Sequence, residues 1–174
     1  MRIRADLHVN GSSRKLVLVA VENEKREHLA LKLAAYLSFW DQDLTIDPSG
    51  KHPALGDFEY RPDLLGTDVT GGVSHWVDCG NTSMNKVAKA VRRFPRARFA
   101  LFQENPQKAR RLRQDVEAEV RESADVDVLG WPAGEFPRWC ALLGEKVEIF
   151  GEASGVQMNL VVNEQVFATD FQRF

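Results

Sequence analysis

Two carboxylates stand fifteen positions apart in this 174-residue chain: Asp63 follows Pro62, and Asp78 follows the apolar run 73–77. A β-hairpin brings together positions with such a separation, and Glu27, on an earlier helical stretch, could add a third carboxylate. Such an acidic group suits a hard divalent cation such as Mg²⁺ or Mn²⁺, which takes oxygen ligands and keeps waters that a phosphate can displace. The candidate chemistry is therefore metal-assisted cleavage of a phosphodiester.

The same acids have an ordinary structural interpretation. An aspartate after a proline is typical of a turn, and an aspartate at the end of a strand is typical of a cap for the next helix. The spacing leaves both interpretations open. Cleavage also needs a cation near the acids, to stabilise the charge that develops at the transition state. Lys86 and Lys89, which follow Asp78, are the candidates.

The composition allows this chemistry without pointing to it. With 44% hydrophobic residues, positions 1–174 are expected to form one domain with a full core. No apolar run approaches the roughly eighteen residues of a membrane span, and no apolar segment follows the first residues, so we expect a cytoplasmic protein without a membrane partner. Cys79 and Cys140 are too few for a disulfide framework and are expected to be reduced. A net charge of −2 means that any basic surface must be local.

The elements that position these residues follow from hydrophobic periodicity and turn chemistry. We expect helices over 24–40 and 136–143 and after the polar groups at 81–83 and 105–106, and strands at 3–9, 16–21, 58–65, 73–77, 98–103, 126–131, 147–150 and 156–168. The hairpins are antiparallel, whereas the order strand, helix, strand between 98 and 131 predicts a parallel crossover. The expected fold class is therefore α/β or α+β, with a mixed sheet flanked by helices.

The helix expected after Gly80 has a basic face. Lys86, Lys89 and Arg93 lie opposite the apolar stripe of that helix, where they could contact a nucleic-acid backbone. A solvated, ion-paired face is the alternative. The run 108–113 favours that alternative, while both interpretations stay open for the arginines between 92 and 98.

The order and spacing of these segments resemble the YaeQ family, which belongs to the PD-(D/E)xK nuclease-like superfamily. The resemblance rests on the N-terminal hairpin, the helix 26–37, the segment 76–80, the helix 85–90 and the closing strands 147–168. It implies a nuclease-like core with Glu27, Asp63 and Asp78 as ligands of Mg²⁺ or Mn²⁺. Asp68 is the alternative to Asp63 as the second metal ligand.

The resemblance also bears on the catalytic cation. Gly80 stands where most superfamily members place a lysine, and this family is similar to those in which the lysine has moved to the following helix. The resemblance then implies Lys89, or else Lys86, as the catalytic cation.

Two functions remain as expectations. The first is a metal-dependent nuclease that hydrolyses nucleic-acid phosphodiesters, and the second is a non-catalytic protein of the same fold that binds nucleic acid or a protein partner. Gly80, and the absence of an appended DNA-recognition module from so short a chain, favour the second. The sequence leaves open DNA or RNA as the partner, and a monomer or a dimer as the oligomeric state.

Overall fold

The computed structural model describes all 174 residues. It contains two β-sheets and four α-helices. The helices are α1 (Arg26–Ser38), α2 (Met84–Arg93), α3 (Pro106–Glu119) and α4 (Glu135–Leu142). The strands are β1 (Arg2–Val9), β2 (Ser12–Val19), β3 (Thr45–Ile46), β4 (Leu64–Thr67), β5 (Val73–Cys79), β6 (Arg98–Gln103), β7 (Val126–Gly130), β8 (Lys146–Ser154), β9 (Gln157–Val162), β10 (Gln165–Asp170) and β11 (Gln172–Arg173). The mixed α/β class is confirmed. None of the helices is long and apolar enough to cross a lipid bilayer.

The first sheet, in the order β10-β9-β8-β1-β2, contains the N-terminal hairpin. In β1, apolar residues alternate with polar ones, and Ile3 and Leu7 are buried on one face. Ala5 lies opposite Leu16 in the antiparallel neighbour β2 and opposite Val147 in the parallel neighbour β8. The hairpin prediction is confirmed. The sequence indicated one sheet, whereas the structure has two, because the hairpin pairs with strands from the far end of the chain.

The second sheet, the central sheet, has the order β11-β7-β6-β5-β4-β3. Its strands β5, β6 and β7 are parallel neighbours, and the crossover pattern predicted the pairing of β6 with β7. Their carboxyl ends therefore lie at one edge, which includes Cys79 and Gln103. Helices α2 and α3 follow β5 and β6 and pack on one face, around Trp76 and Phe99.

Helix α1 fills the space between the two sheets. Every residue from Leu29 to Ser38 is buried, so that this helix has no solvated face along most of its length. The larger core cluster joins Leu7 of β1, Leu33 of α1 and Val77 of β5. A helix that is covered all round is typical of the interior of a layered α/β domain.

Some predicted boundaries were wrong. The segment 58–65 was expected to be a strand, but β4 begins only at Leu64. Phe58 lies in a loop, where its ring packs edge-on against Trp76 with centroids 5.7 Å apart. The apolar pattern there arises from aromatic packing rather than from a strand. At the C-terminal end the region 156–168 forms two strands, β9 and β10, and not one.

Candidate site at the carboxyl ends of the central strands

Asp78 lies on the α2 side of β5 and is only 1% exposed. Its Oδ1 accepts hydrogen bonds from Lys86 Nζ at 2.8 Å and from the main-chain N of Asp63 at 3.2 Å. Its Oδ2 accepts from Trp76 Nε1 at 3.1 Å and from Thr82 Oγ1 at 3.2 Å. Burial raises the pKa of Asp78, although the Lys86 ammonium opposes that shift. Each oxygen therefore already has two donors.

Asp63 lies just before β4, where the structure brings it next to Asp78, as the spacing predicts. Its Oδ2 accepts from the main-chain N of Cys79 at 2.8 Å and lies 3.2 Å from His28 Nε2. Its Oδ1 is 3.9 Å from Lys32 Nζ. Burial acts to raise the pKa of Asp63, but the hydrogen bond and charge of His28 outweigh it and the pKa is lowered. Asp63 is thus an ionised carboxylate held by α1 and β5.

Four further groups join Asp63 in an ion network around the buried Lys32, defined here as Glu24, His28, Lys32, Asp47 and Asp63. Lys32 Nζ lies 2.6 Å from both Glu24 Oε1 and Asp47 Oδ1, and His28 Nδ1 lies 2.6 Å from the same Glu24 oxygen. Burial acts to lower the pKa of Lys32, but its bonds to Asp47 and Glu24 raise it overall. Lys32 is therefore a buried, charged ammonium.

Sequence reasoning missed this network, although a signal was present. Lys32 interrupts the otherwise apolar run 29–35, which a buried helix accommodates only if the ammonium has partners. Glu24, His28 and Lys32 also recur every four positions, the spacing at which side chains meet along a helix.

The predicted third ligand, Glu27, does not join these acids. Its side chain is exposed at the start of α1 and makes no hydrogen bond or ion pair. The glutamate that approaches Asp63 is Glu24, through the imidazole of His28. No group of three or more His, Cys, Asp or Glu side chains has an arrangement that could hold a metal ion. Because the oxygens of Asp78 are filled by donors, one of them an ammonium, the residues as placed do not fit an open Mg²⁺ or Mn²⁺ site, and that site stays a prediction.

Asp68, the alternative to Asp63, occupies the opposite end of the β4–β5 hairpin. Its Oδ1 accepts from the main-chain N of Thr70 at 2.9 Å and of Gly72 at 3.0 Å. The Thr70 hydroxyl also donates to it at 2.6 Å, and these bonds lower the pKa of Asp68. Asp68 is a turn residue, and Asp63 is the one that lies beside Asp78.

The basic face of α2 is ion-paired. Lys86 contacts Asp78, whereas Lys89 Nζ lies 2.7 Å from Glu59 Oε1 and Arg93 Nη2 lies 2.7 Å from Asp57 Oδ1. The loop before β4 therefore covers part of the face on which Lys89 and Arg93 lie. Of the two lysines considered for the catalytic role, the structure places Lys86 at the acids.

Gly80 has a conformational reason to be glycine. Its φ of +71° lies in the left-handed region, which side chains with a Cβ rarely adopt. Its carbonyl accepts from Gln103 Nε2 at 2.6 Å, and its N donates to the Phe102 carbonyl at 2.8 Å. This turn carries the chain from β5 towards α2.

An open cleft runs along this edge of the central sheet, and we call it the carboxyl-edge cleft. Its two lobes, of about 390 and 430 Å³, share Gly80, Asn81, Gln103 and Lys108. The first turns of α1 and α3 and the segment before α2 line it, so that the partial positive charge of three helix N-termini lies beside it. Its charged lining side chains are Lys25, Lys108, Arg111, Glu24, Glu27, His28, Glu104 and Asp115. In open α/β sheets, ligands bind at the carboxyl ends of parallel strands.

Comparison with known proteins supports the fold. Residues 11–169 match the family model described as YaeQ protein. The structure is similar to the crystal structure of YaeQ protein from Xanthomonas axonopodis pv. citri, with a TM-score of 0.74 and 18% identity over 99% of this chain and 96% of that one. It is also similar to YaeQ protein from Pseudomonas syringae, with a TM-score of 0.70 and 14% identity over 99% and 93% of the two chains. No curated protein matches the sequence.

Proposed function

The chain belongs to the YaeQ family, and we propose that it binds a nucleic-acid backbone in the carboxyl-edge cleft without cutting it. The observation that carries this proposal is the lining of the cleft. Three exposed cations, Lys25, Lys108 and Arg111, lie there together with three helix N-termini. Anions are stabilised at helix N-termini, and lysine and arginine side chains neutralise phosphates.

The shape of the cleft favours a polymer over a single phosphate. Its two lobes adjoin through four shared residues and together follow the edge of the sheet from the start of α1 to the outer face of α3. A chain of phosphates can contact Lys25 in one lobe and Arg111 in the other. Four acids also line the cleft, Glu24, Glu27, Asp115 and Glu104, which pairs with Lys108, and they outnumber the three cations, so we expect binding that is weak and strongly dependent on salt.

The state of Asp78 supports binding rather than cleavage. A carboxylate that binds a catalytic metal needs oxygen lone pairs free for the ion, and those of Asp78 already accept from four protein donors. Its ion pair with Lys86 is largely buried, and opening it would leave a buried charge without a partner. We therefore propose that Asp78 and Lys86 hold β5 and α2 together.

Phosphodiester hydrolysis on a PD-(D/E)xK-like scaffold is the second candidate function. A specific observation favours it: Asp63, Asp78 and Lys86, which are distant in sequence, meet at the edge that also bears the cleft. The Lys86 ammonium is where a lysine that had moved from position 80 to the next helix would act.

Binding is tested by fluorescence anisotropy with labelled single-stranded DNA, double-stranded DNA and RNA of equal length. We expect Lys108→Glu and Arg111→Glu to weaken binding to every sequence and to flatten its salt dependence, because backbone contacts release counterions without reading bases. Arg110→Glu is the matched control, since Arg110 lies on the same helix but packs over the Phe174 ring outside the cleft. Equal losses in all three variants, or no binding by the wild type at low salt, would rule out the cleft.

Cleavage is tested on the same three substrates with Mg²⁺ and with Mn²⁺. The binding proposal expects no product above that of Asp78→Asn, a variant that keeps the shape of the side chain and serves as the contamination control. Product formed by the wild type and lost in both Asp78→Asn and Lys86→Met would make hydrolysis the better proposal.

A further inference from the structure

A second, smaller pocket lies at the opposite edge of the central sheet, where β5, β6 and β7 begin. It has a volume of about 140 Å³ and lies between the C-terminal end of α1 and the turn that joins β8 to β9. Its lining includes Ser38, His75, Arg98, Asp127 and Arg173. We call it the amino-edge pocket. It shares no lining residue with the carboxyl-edge cleft.

Several polar groups that line this pocket lack partners. Ser38 is 6% exposed, and its hydroxyl makes no hydrogen bond. His75 is also buried, and only its Nδ1 has a partner, Ser74 Oγ at 3.0 Å. Arg98 makes neither an ion pair nor a side-chain hydrogen bond. Buried polar groups in folded proteins are nearly always paired, so the unpaired hydroxyl of the buried Ser38 indicates a partner from outside the chain. Arg98 is exposed, and its guanidinium lines the same pocket without a partner in the chain.

The charges indicate the kind of partner. Arg98 and Arg173 both line the pocket, and a guanidinium matches the fork of a carboxylate or phosphate oxygen pair. Arg173 lies 3.8 Å from Asp127, which is beyond hydrogen-bond distance. Asp41 and Asp127 are also lining residues, so the pocket is close to neutral and does not attract anions in general. A ligand must bind by making hydrogen bonds with the free donors.

We propose that the amino-edge pocket binds a single oxyanion group, the phosphate or carboxylate of a small molecule. Arg98 and Ser38 donate to its oxygens, and Arg173 turns from Asp127 to provide a second guanidinium. The volume equals that of about four or five waters at roughly 30 Å³ each, well below the roughly 300 Å³ or more of sites for larger ligands. The rest of a larger ligand would have to lie outside the pocket. The proposal does not depend on nucleic-acid binding at the other edge.

The test is calorimetric titration of the full chain with inorganic phosphate and, separately, with acetate, each against sodium chloride at equal ionic strength. We expect saturable binding of one equivalent at millimolar concentration or below. The anion that binds more tightly shows whether the pocket takes the phosphate or the carboxylate group of a small molecule. Arg98→Gln and Ser38→Ala should each weaken binding about tenfold, equivalent to the loss of one charge-assisted or buried hydrogen bond.

Arg96→Gln is the matched control, because Arg96 is exposed just before β6 and does not line the pocket. It should bind as the wild type does. Thermal melts of all three variants establish that they are folded. Absence of saturable binding by both anions, or equal affinity in Arg98→Gln and the wild type, would overturn the proposal, as would preferential binding of Mg²⁺ through Asp41 and Asp127.

Discussion

The ammonium nitrogen of Lys86 lies 2.8 Å from Oδ1 of Asp78, and the pair joins the end of β5 to the first turn of α2. Asp78 is fully buried, whereas the Lys86 side chain is 20% exposed. Water therefore reaches the cation but not the anion.

Replacement of Lys86 by methionine should destabilise the fold, because it leaves the Asp78 carboxylate buried without a cation. We expect a loss of about 2–3 kcal/mol at neutral pH, below the range for fully buried pairs because Lys86 is partly solvated. Urea denaturation measures the loss. Lys89→Met is the matched control: its partner Glu59 is exposed and water screens the pair, so we expect little or no change in stability. Comparable losses in both variants would show that the pair at Asp78 has no special role.

The His28–Asp63 contact should make the free energy of unfolding depend on pH. Burial acts to lower the pKa of His28, but the Asp63 hydrogen bond and charge raise it overall, and the pKa of Asp63 is lowered in turn. The His28 contribution is present below the imidazole's unfolded pKa of about 6.5 and is lost as pH rises through the folded value. The Asp63 contribution is present above the unfolded pKa of about 3.9 and is lost as pH falls through the folded value.

The stability difference between the wild type and His28→Gln should therefore be largest near pH 5 and should shrink towards pH 8. Chemical denaturation across that range measures it. His52→Gln is the control, since the His52 ring makes no contact with the network and accepts only a local hydrogen bond from the main-chain N of Ala54. A difference that is constant with pH would mean that folding does not change the pKa of His28.

Much of the fold could be predicted because its signals are local. Ser83 and Asn105 accept hydrogen bonds from the main-chain N of Lys86 and Lys108, and so begin α2 and α3 where the polar clusters predict them. The second sheet could not be predicted in this way. The pairing of Ala5 with Val147 joins distant parts of the chain, and nothing near either residue specifies the partner.

The same difference between local and long-range signals applies to the candidate site. The approach of Asp63 to Asp78 follows from a hairpin register, with Leu64 opposite Val77, and was predictable. Lys86 pairs with Asp78 and Lys89 with Glu59, and the choice between them depends on which turn of α2 faces the end of β5. The network around Lys32 depends on the packing of α1 between two sheets, which the sequence did not reveal.

The buried ammonium of Lys32 should be essential to the fold. Lys32→Met removes the ammonium that lies between Glu24 and Asp47 and leaves the buried Glu24 carboxylate with His28 alone, and we expect a loss of about 3–5 kcal/mol. The double variant Glu24→Gln, Lys32→Met removes the buried charge together with its partner and should recover part of that loss. Denaturation of the wild type, both single variants and the double variant forms a thermodynamic cycle. Strictly additive losses would contradict a direct interaction between the two side chains.

Gly80 should be required for its backbone conformation and not for the space that it leaves. A Cβ there would lie 3.9 Å from Leu31 Cδ2 and 4.0 Å from His28 Cδ2, which are ordinary contacts. We expect Gly80→Lys and Gly80→Ala each to lose about 1–2 kcal/mol from the left-handed backbone alone, and Gly80→Asn to lose less. Thermal melts give the order. A larger loss for lysine than for alanine would point to steric or electrostatic conflict with the network.

Metal titration separates the two candidate functions. If the four donors leave no free lone pair on Asp78, neither metal ion binds the folded state preferentially. Millimolar Mg²⁺ or Mn²⁺ should then leave the melting temperature of the wild type unchanged. An ionic-strength control with NaCl corrects for screening of exposed pairs such as Lys89 and Glu59. A rise in melting temperature that Asp78→Asn and Asp63→Asn both abolish, but Glu59→Gln does not, would place the ion at the predicted acids. The Lys86 ammonium would then have to leave Asp78 when the metal binds, and hydrolysis would become the better explanation of why these residues meet.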